Sequence, residues 1–218
     1  MIITYYGVSC FKAQSGETTL AFDPFSDKFP AKDFGFKAPR FQADIVFVSH
    51  WHFGHDGWER LSGKGQNETP LVLDGPGEYE SKEVRVIGVK TFHDAENGKK
   101  LGQNTIFTAD IEGISLCHFG DFGEEKLRSE TKEVIDGIDI LFMPISGSAI
   151  NPQKAARIAA QVEPKIVIPM HYHEDKKMLK KFLDEFGGCD TKPVDKLTIK
   201  KKDLAEKKVE IAVLNPII

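Results

Sequence analysis

Asp44-Ile45-Val46-Phe47-Val48-Ser49 runs directly into His50-Trp51-His52-Phe53-Gly54-His55, and the reading of this stretch decides the fold. The first six residues, apolar and β-branched or aromatic at Ile45 to Val48, read as a buried strand. Three of the chain's seven histidines then fall where that strand ends. On an extended backbone His50 and His52 point to one face, because side chains alternate, and a turn after Phe53 returns His55 to that face. Imidazoles gathered this way repel one another once protonated, so they persist best when a metal holds them neutral. Zinc is the expected ion, since imidazole suits it and three protein ligands plus water make a reactive site. The plainer reading is a set of loop histidines with no ion to hold.

Working outward, apolar β-branched runs bounded by Gly, Pro and Asp recur at Ile2–Tyr6, Thr18–Phe22, Pro70–Leu73, Val84–Phe92, Asn104–Ile111 and Ile114–His118. Ile138–Pro144 and Lys165–Pro169 read as buried strands. Between them Asn151-Pro152 starts a helix, with Asn as N-cap, Pro in the first turn, and Ala155, Ile158, Ala159 and Val162 on one face. A second helix is expected from about Glu174 to Phe186, stopped by Gly187-Gly188, followed by Lys196–Lys200 and Lys208–Leu214 as a final pair of strands. No repeat, linker or low-complexity tract interrupts this pattern. It predicts one α/β domain over residues 1–218, with sheet layers flanked by helices.

Composition narrows the function. The 218 residues carry 29 Lys+Arg against 33 Asp+Glu, a net charge of −4, with 40% hydrophobic and 28% charged side chains. This is a globular balance without the basic footprint of a nucleic-acid binder. The late lysines, Lys176, Lys177, Lys180, Lys181 and Lys200 to Lys202, are interleaved with acids and read as a solvated helix face and edge strand. Cys10, Cys117 and Cys189 are widely spaced and imply neither disulfides nor a zinc ribbon. No leader-like segment opens the chain and no apolar run approaches the roughly 18 residues of a membrane span. A cytoplasmic protein acting on a small molecule is expected, with neither nucleic acid nor membrane as partner.

The wider histidine pattern carries a family resemblance. His50/His52/His55, then His93 in Thr-Phe-His-Asp, Gly120-Asp121, and His171 in Ile-Pro-Met-His-Tyr resemble the ordered motifs of the metallo-β-lactamase superfamily, whose usual signature is H-x-H-x-D-H at a strand end. Gly75-Pro-Gly-Glu-Tyr-Glu80, His118-Phe-Gly-Asp121 and Pro169-Met-His-Tyr172 are similar to a branch of Zn-dependent hydrolases that also resembles the ascorbate-phosphate lactonases. The resemblance implies a four-layer αββα sandwich. It also implies His50, His52 and His93 as ligands of one metal, Asp121 as a bridge that orients water, and His55 and His171 on a second ion. If Ile114–Asp121 is extended, His118 and Asp121 face opposite sides, which leaves His118 packed behind the site. His173 reads as a rim histidine. Asp23 resembles the strand-end acid that orients a ligating His, and equally suits a plain Asp-Pro turn.

Gly54 departs from the signature, which has Asp there. Without that carboxylate the second site has two neutral imidazoles and a shared anion, so one zinc is expected with the second site weakened; manganese or iron also suits such donors. Asp56 lies two residues on, but its side chain is expected to point about 100° away from His55 on a helical turn. A metal held here lowers the pKa of bound water to about 7 and polarises the electrophile, so hydrolysis of a small ester, lactone or phosphoester is expected. The rival readings are a non-catalytic or degenerate metal-binding protein and an iron-dependent redox member of the same fold. Glu78 and Tyr79 read first as part of a turn. Phe25, Phe29, Phe34, Phe36 and Phe41 form either a loop covered by its own aromatics or a substrate-facing lid.

Overall fold

Period-two alternation at the start of the chain puts Ile3, Tyr5, Phe11, Ala13, Leu20 and Phe22 on one side of three successive strands, and all six are buried. The computed structural model describes residues 1–64, 69–147, 150–173, 175–188 and 191–218. In chain order its elements are β1 (Ile2–Gly7), β2 (Cys10–Ser15), β3 (Thr18–Phe22), β4 (Ile45–Phe47), β5 (Leu71–Leu73), β6 (Gly77–Ser81), β7 (Val84–Phe92), β8 (Gln103–Ile111), β9 (Ile114–His118), α1 (Ser129–Val134), β10 (Ile140–Pro144), α2 (Pro152–Val162), β11 (Ile166–Met170), α3 (Lys176–Asp184), β12 (Leu197–Thr198) and β13 (Glu210–Ile211). They form two mixed sheets, ordered β12-β1-β2-β3-β4-β5 and β13-β11-β10-β9-β8-β7-β6. The inner faces meet in one core, where the rings of Phe11 and Phe22 of the first sheet make tilted contacts with Phe142 of the second. Outside the second sheet, Leu141, Met143 and Val167 are covered by Ala155, Ile158 and Ala159 of α2 and Phe182 of α3. Outside the first, 3-10 turns at Ala31–Phe34 and Trp58–Arg60 take the place of long helices. This is the αββα sandwich.

The β10–α2–β11 unit forms as its residues predict: Asn151 Oδ1 accepts from Lys154 N at 2.9 Å, Pro152 opens the helix, and the flanking strands pair in parallel. The second helix is shorter than expected. It starts after Asp175, whose carboxylate accepts from Lys177 N and Met178 N; Glu174 lies outside the described residues.

Other expectations are corrected. The two C-terminal strands do not pair with each other: β12 joins β1 antiparallel, while β13 joins β11 in parallel, so each caps a different sheet edge. Lys201 and Lys202 lie on a 3-10 turn rather than on that strand, with Lys201 Nζ 2.7 Å from Asp139. Cys10–Ser15 is a strand that its Lys and Gln positions disguised. Gly77–Ser81 is likewise a strand rather than a turn, paired with β7; Tyr79 Oη donates to Gly75 O at 3.1 Å while its ring packs on the core. Of the two readings of the phenylalanine-rich segment, the contacts favour the loop covered by its own aromatics: Phe25 and Phe36 are buried with Val8 and Cys10, and Phe29 packs against Phe25 and Phe34. Cys10 and Cys117 are buried and unbridged, and Cys189 lies outside the described residues. Among the described residues no helix is long and apolar enough to cross a membrane.

Candidate metal centre

Six polar side chains converge because each follows the C-terminal end of a strand at one rim of the sandwich. Asp23 follows β3, His50 and His55 follow β4, His93 follows β7, Asp121 follows β9 and His171 follows β11. Chain pairing stops at these ends, so the backbone is free to turn. Asp23 and His171 both take left-handed φ values, 41° and 58°, and are held there by Asp23 N to Phe47 O at 2.9 Å and His171 N to Val8 O at 2.7 Å.

The carboxylate of Asp121 is the centre. Its Oδ2 lies 3.2 Å from His93 Nε2, 3.3 Å from His55 Nε2 and 3.9 Å from His50 Nε2, and its Oδ1 lies 3.4 Å from His171 Nε2. Three ligand triangles share these atoms: His50/His93/Asp121, His55/Asp121/His171 and His50/His52/His55, each within 4.8 Å. His52 is therefore brought to His50 and His55, its ring parallel to that of His50 at 5.9 Å, but it is exposed and joins no triangle with His93 or Asp121. The expected turn is present: His55 N bonds His52 O at 2.7 Å.

Behind the histidines lies a buried layer of acceptors. Asp23 Oδ1 accepts from Ser49 N at 2.7 Å, and Oδ2 accepts from Ser49 Oγ at 2.6 Å and His55 Nδ1 at 2.7 Å. Because Ser49 gives its proton to a carboxylate, its oxygen is an acceptor for His50 Nδ1 at 3.0 Å. Both rings thus hold a proton on Nδ1 and direct Nε2 inward. His118 is fully buried one layer deeper, with Nε2 donating to Ser9 O at 2.9 Å and Nδ1 accepting from Gly120 N at 3.2 Å. His173 stands at the rim, its ring 4.7 Å from Phe34 and 5.0 Å from His171.

Asp121 itself depends on residues that sequence reading passed over. Asn104 accepts from Asp121 N at 2.9 Å and donates to Thr91 Oγ1 and Phe119 O, so it splints the turn that carries the carboxylate. Gly120, at φ 54°, sits where an added Cβ would meet Asn104 Oδ1 at 2.3 Å and Ser49 Cβ at 2.5 Å. Ser49 was legible as a neighbour of His50, whereas nothing local to Asn104 announces its role. Asp94 shapes the loop after His93. Burial would raise its pKa, but backbone N–H groups of Leu101, Glu96, Lys100 and Gly98 bond the carboxylate and lower it.

Electrostatics separate the imidazoles. Burial and the neighbouring His55 push His50 down to about 3. Burial would depress His55 too, but the carboxylates of Asp121 and Asp23 on either side raise it to about 10. Burial works against the Asp121 anion, yet His171 and His55 hold its pKa well below the usual range. Gly54 has ordinary φ, and a Cβ there would lie 3.4 Å from His52 Nδ1 and 3.8 Å from Phe29. Asp56 joins no ligand triangle among the described residues and faces a separate surface groove with Arg40 and Arg60.

The fold and this cluster define a metal-binding hydrolase architecture of the metallo-β-lactamase type. Residues 2–171 match the beta-lactamase superfamily domain, and the chain belongs to that family. It is 28% identical to the UPF0173 metal-dependent hydrolase of Listeria innocua over 79% of this chain and 86% of that one. To the UPF0173 metal-dependent hydrolase of Thermococcus onnurineus it is 25% identical over 72% and 79%. A Thermotoga maritima structure assigned to the Zn-dependent hydrolases of the metallo-β-lactamase superfamily superposes with a TM-score of 0.73 at 30% identity, covering 98% of this chain and 99% of that one.

Proposed function

We propose that this metal-dependent hydrolase holds zinc and cleaves a small-molecule ester, lactone or phosphoester with water. The observation that carries the reading is the convergence of four imidazole Nε2 atoms on one buried carboxylate, where His50 Nε2 and Asp121 Oδ1 have no hydrogen-bond partner among the described residues. Buried polar atoms left unpaired are costly, by about 1–3 kcal/mol each, and bound cations would satisfy them. Neutral nitrogens with one carboxylate are the donor chemistry of zinc.

His50 and His93 would hold one ion and His55 and His171 a second, with Asp121 common to both sets, while His52 reaches the cluster only through His50 and His55. When bound, the metal lowers the pKa of water and polarises the electrophile. Asp121, buried among the four imidazoles, would orient the attacking water. Asp23 and Ser49 keep His55 and His50 in the tautomer that presents Nε2. In the net reaction the water oxygen bonds to the carbonyl carbon or phosphorus, the bond to the leaving oxygen breaks, and that oxygen takes up a proton. Elemental analysis of protein purified without chelator, repeated after excess zinc, manganese or iron, tests the assignment. About one retained zinc per chain, rising toward two under excess, is expected; no retained metal under any condition overturns it.

A further inference from the structure

Resting on the hydrolase reading above, we propose that the substrate is an uncharged carboxylic ester or lactone carrying a flat apolar group, seated against Trp51, and not a phosphorylated molecule. A groove of about 310 Å³ has His50 in its lining, with Trp51, Pro76 and Leu101 as its large apolar side chains and Asp74 and Gln103 among its polar ones. Trp51 is 63% exposed and Leu101 43% exposed. Large apolar side chains left open next to a cluster of polar groups are the composition of a ligand groove, and an indole face favours a flat partner.

Charge supplies the other half of the argument. A smaller hollow is lined by Asp121 itself, with His93, Phe122, Ser146, Gly147 and Ile150. Neither hollow has a lysine or arginine in its lining, and the residues outside the described set include none. The N-terminus of α2 beside the second hollow is already capped by Asn151. Beyond what a metal supplies, a phosphate dianion is ordinarily gripped by Arg, Lys or free helix N–H groups. Here its approach meets the Asp74 carboxylate instead, an acceptor suited to a substrate hydroxyl or N–H.

The test is calorimetric titration of the zinc-loaded protein with 2-naphthohydroxamate, acetohydroxamate and 2-naphthylphosphonate. The two hydroxamates anchor alike on zinc, so their difference reports the apolar group. We expect the naphthyl compound to bind about 10-fold more tightly than the acetyl one, and this advantage to vanish in Trp51→Ala with zinc content unchanged. Trp51→Phe retains part of it. The naphthylphosphonate binds more weakly than the naphthohydroxamate and gains about 10-fold in Asp74→Lys. Equal affinity of the two hydroxamates, an advantage that survives Trp51→Ala, or tightest binding by the phosphonate overturns the proposal. Hydrolysis of 2-naphthyl acetate and 2-naphthyl phosphate in parallel separates the two readings. If neither is cleaved while the hydroxamate pattern holds, hydrolysis fails and the groove assignment stands; preferential cleavage of the phosphate overturns the groove assignment alone.

Discussion

His55 Nδ1 lies 2.7 Å from Asp23 Oδ2, and neither side chain is more than 1% exposed. This buried pair links a strand-end acid to an imidazole whose other nitrogen faces Asp121, and it makes Asp23 an orienting group rather than a turn residue alone. In Asp23→Asn one acceptor oxygen becomes an NH2 group facing donors from Ser49 and His55. Zinc affinity should fall by about 10- to 100-fold, measured by competition with a chromophoric chelator. An unchanged affinity would show that His55 does not depend on Asp23 for its orientation toward a metal.

Proton balance on metal uptake follows from the same pair. Without metal, His55 is raised to about 10 and is protonated at neutral pH, whereas His50 at about 3 is already neutral. Filling of the second site under excess zinc at pH 8 should therefore release about one proton from His55, read from titration heats in buffers of different ionisation enthalpy. The metal-free fold should also show a two-sided pH profile. The raised His55 contributes stability that is complete below about 6.5 and is lost as pH rises toward 10. The depressed His50 acts in reverse, its contribution being present above about 6.5 and lost as pH falls toward 3, with Asp121 and Asp23 adding losses below 3.8. Urea unfolding across pH checks both flanks, and a flat profile would contradict them.

Gly54 stands where the family signature has an acid, and its surroundings admit a side chain. Gly54→Ala should change stability by less than about 1 kcal/mol, because its Cβ makes ordinary contacts and no left-handed φ is involved. Gly54→Asp supplies an anion beside His52 and should raise retained metal from about one toward two ions per chain. Unaltered stoichiometry in elemental analysis would mean that the second site does not lack that ligand. A large gain in hydrolysis alongside the metal would mark the natural site as decayed, and a loss would mark it as built around glycine.

Gly120 is the contrasting glycine. A Cβ there would collide with Asn104 and Ser49 in a left-handed backbone. Gly120→Ala should cost on the order of 3 kcal/mol in urea unfolding of the metal-free protein and weaken zinc binding, since the turn presents Asp121. Full metal retention by a destabilised Gly120→Ala would separate the turn's structural role from its role in placing the carboxylate.

The central strands were readable because buried runs such as Ile45–Phe47 and Ile140–Pro144 announce themselves by composition, and the α2 cap by Asn151-Pro152 is a local signal. β2 was not, because Lys12 and Gln14 alternate with Phe11 and Ala13 on a strand with one half-exposed face. The C-terminal strands were visible as segments, but their partners lie in different sheets, and edge pairing leaves little trace in a short stretch.

What the sequence by itself determined is the identity and order of the candidate donors: a histidine cluster after a buried run, then His93, Asp121 and His171, each near a strand end. Chemistry of this kind is written in residue type and local spacing. Only the tertiary structure decided which of these side chains meet. It set Asp121 among four imidazoles, left His52 exposed, stationed Ser49, Asp23 and Asn104 behind them, and opened the Trp51 groove beside His50. Asp23 and His55, or Asn104 and Asp121, are brought together by sheet pairing and sandwich packing, whose register depends on the whole core and not on the residues at the rim.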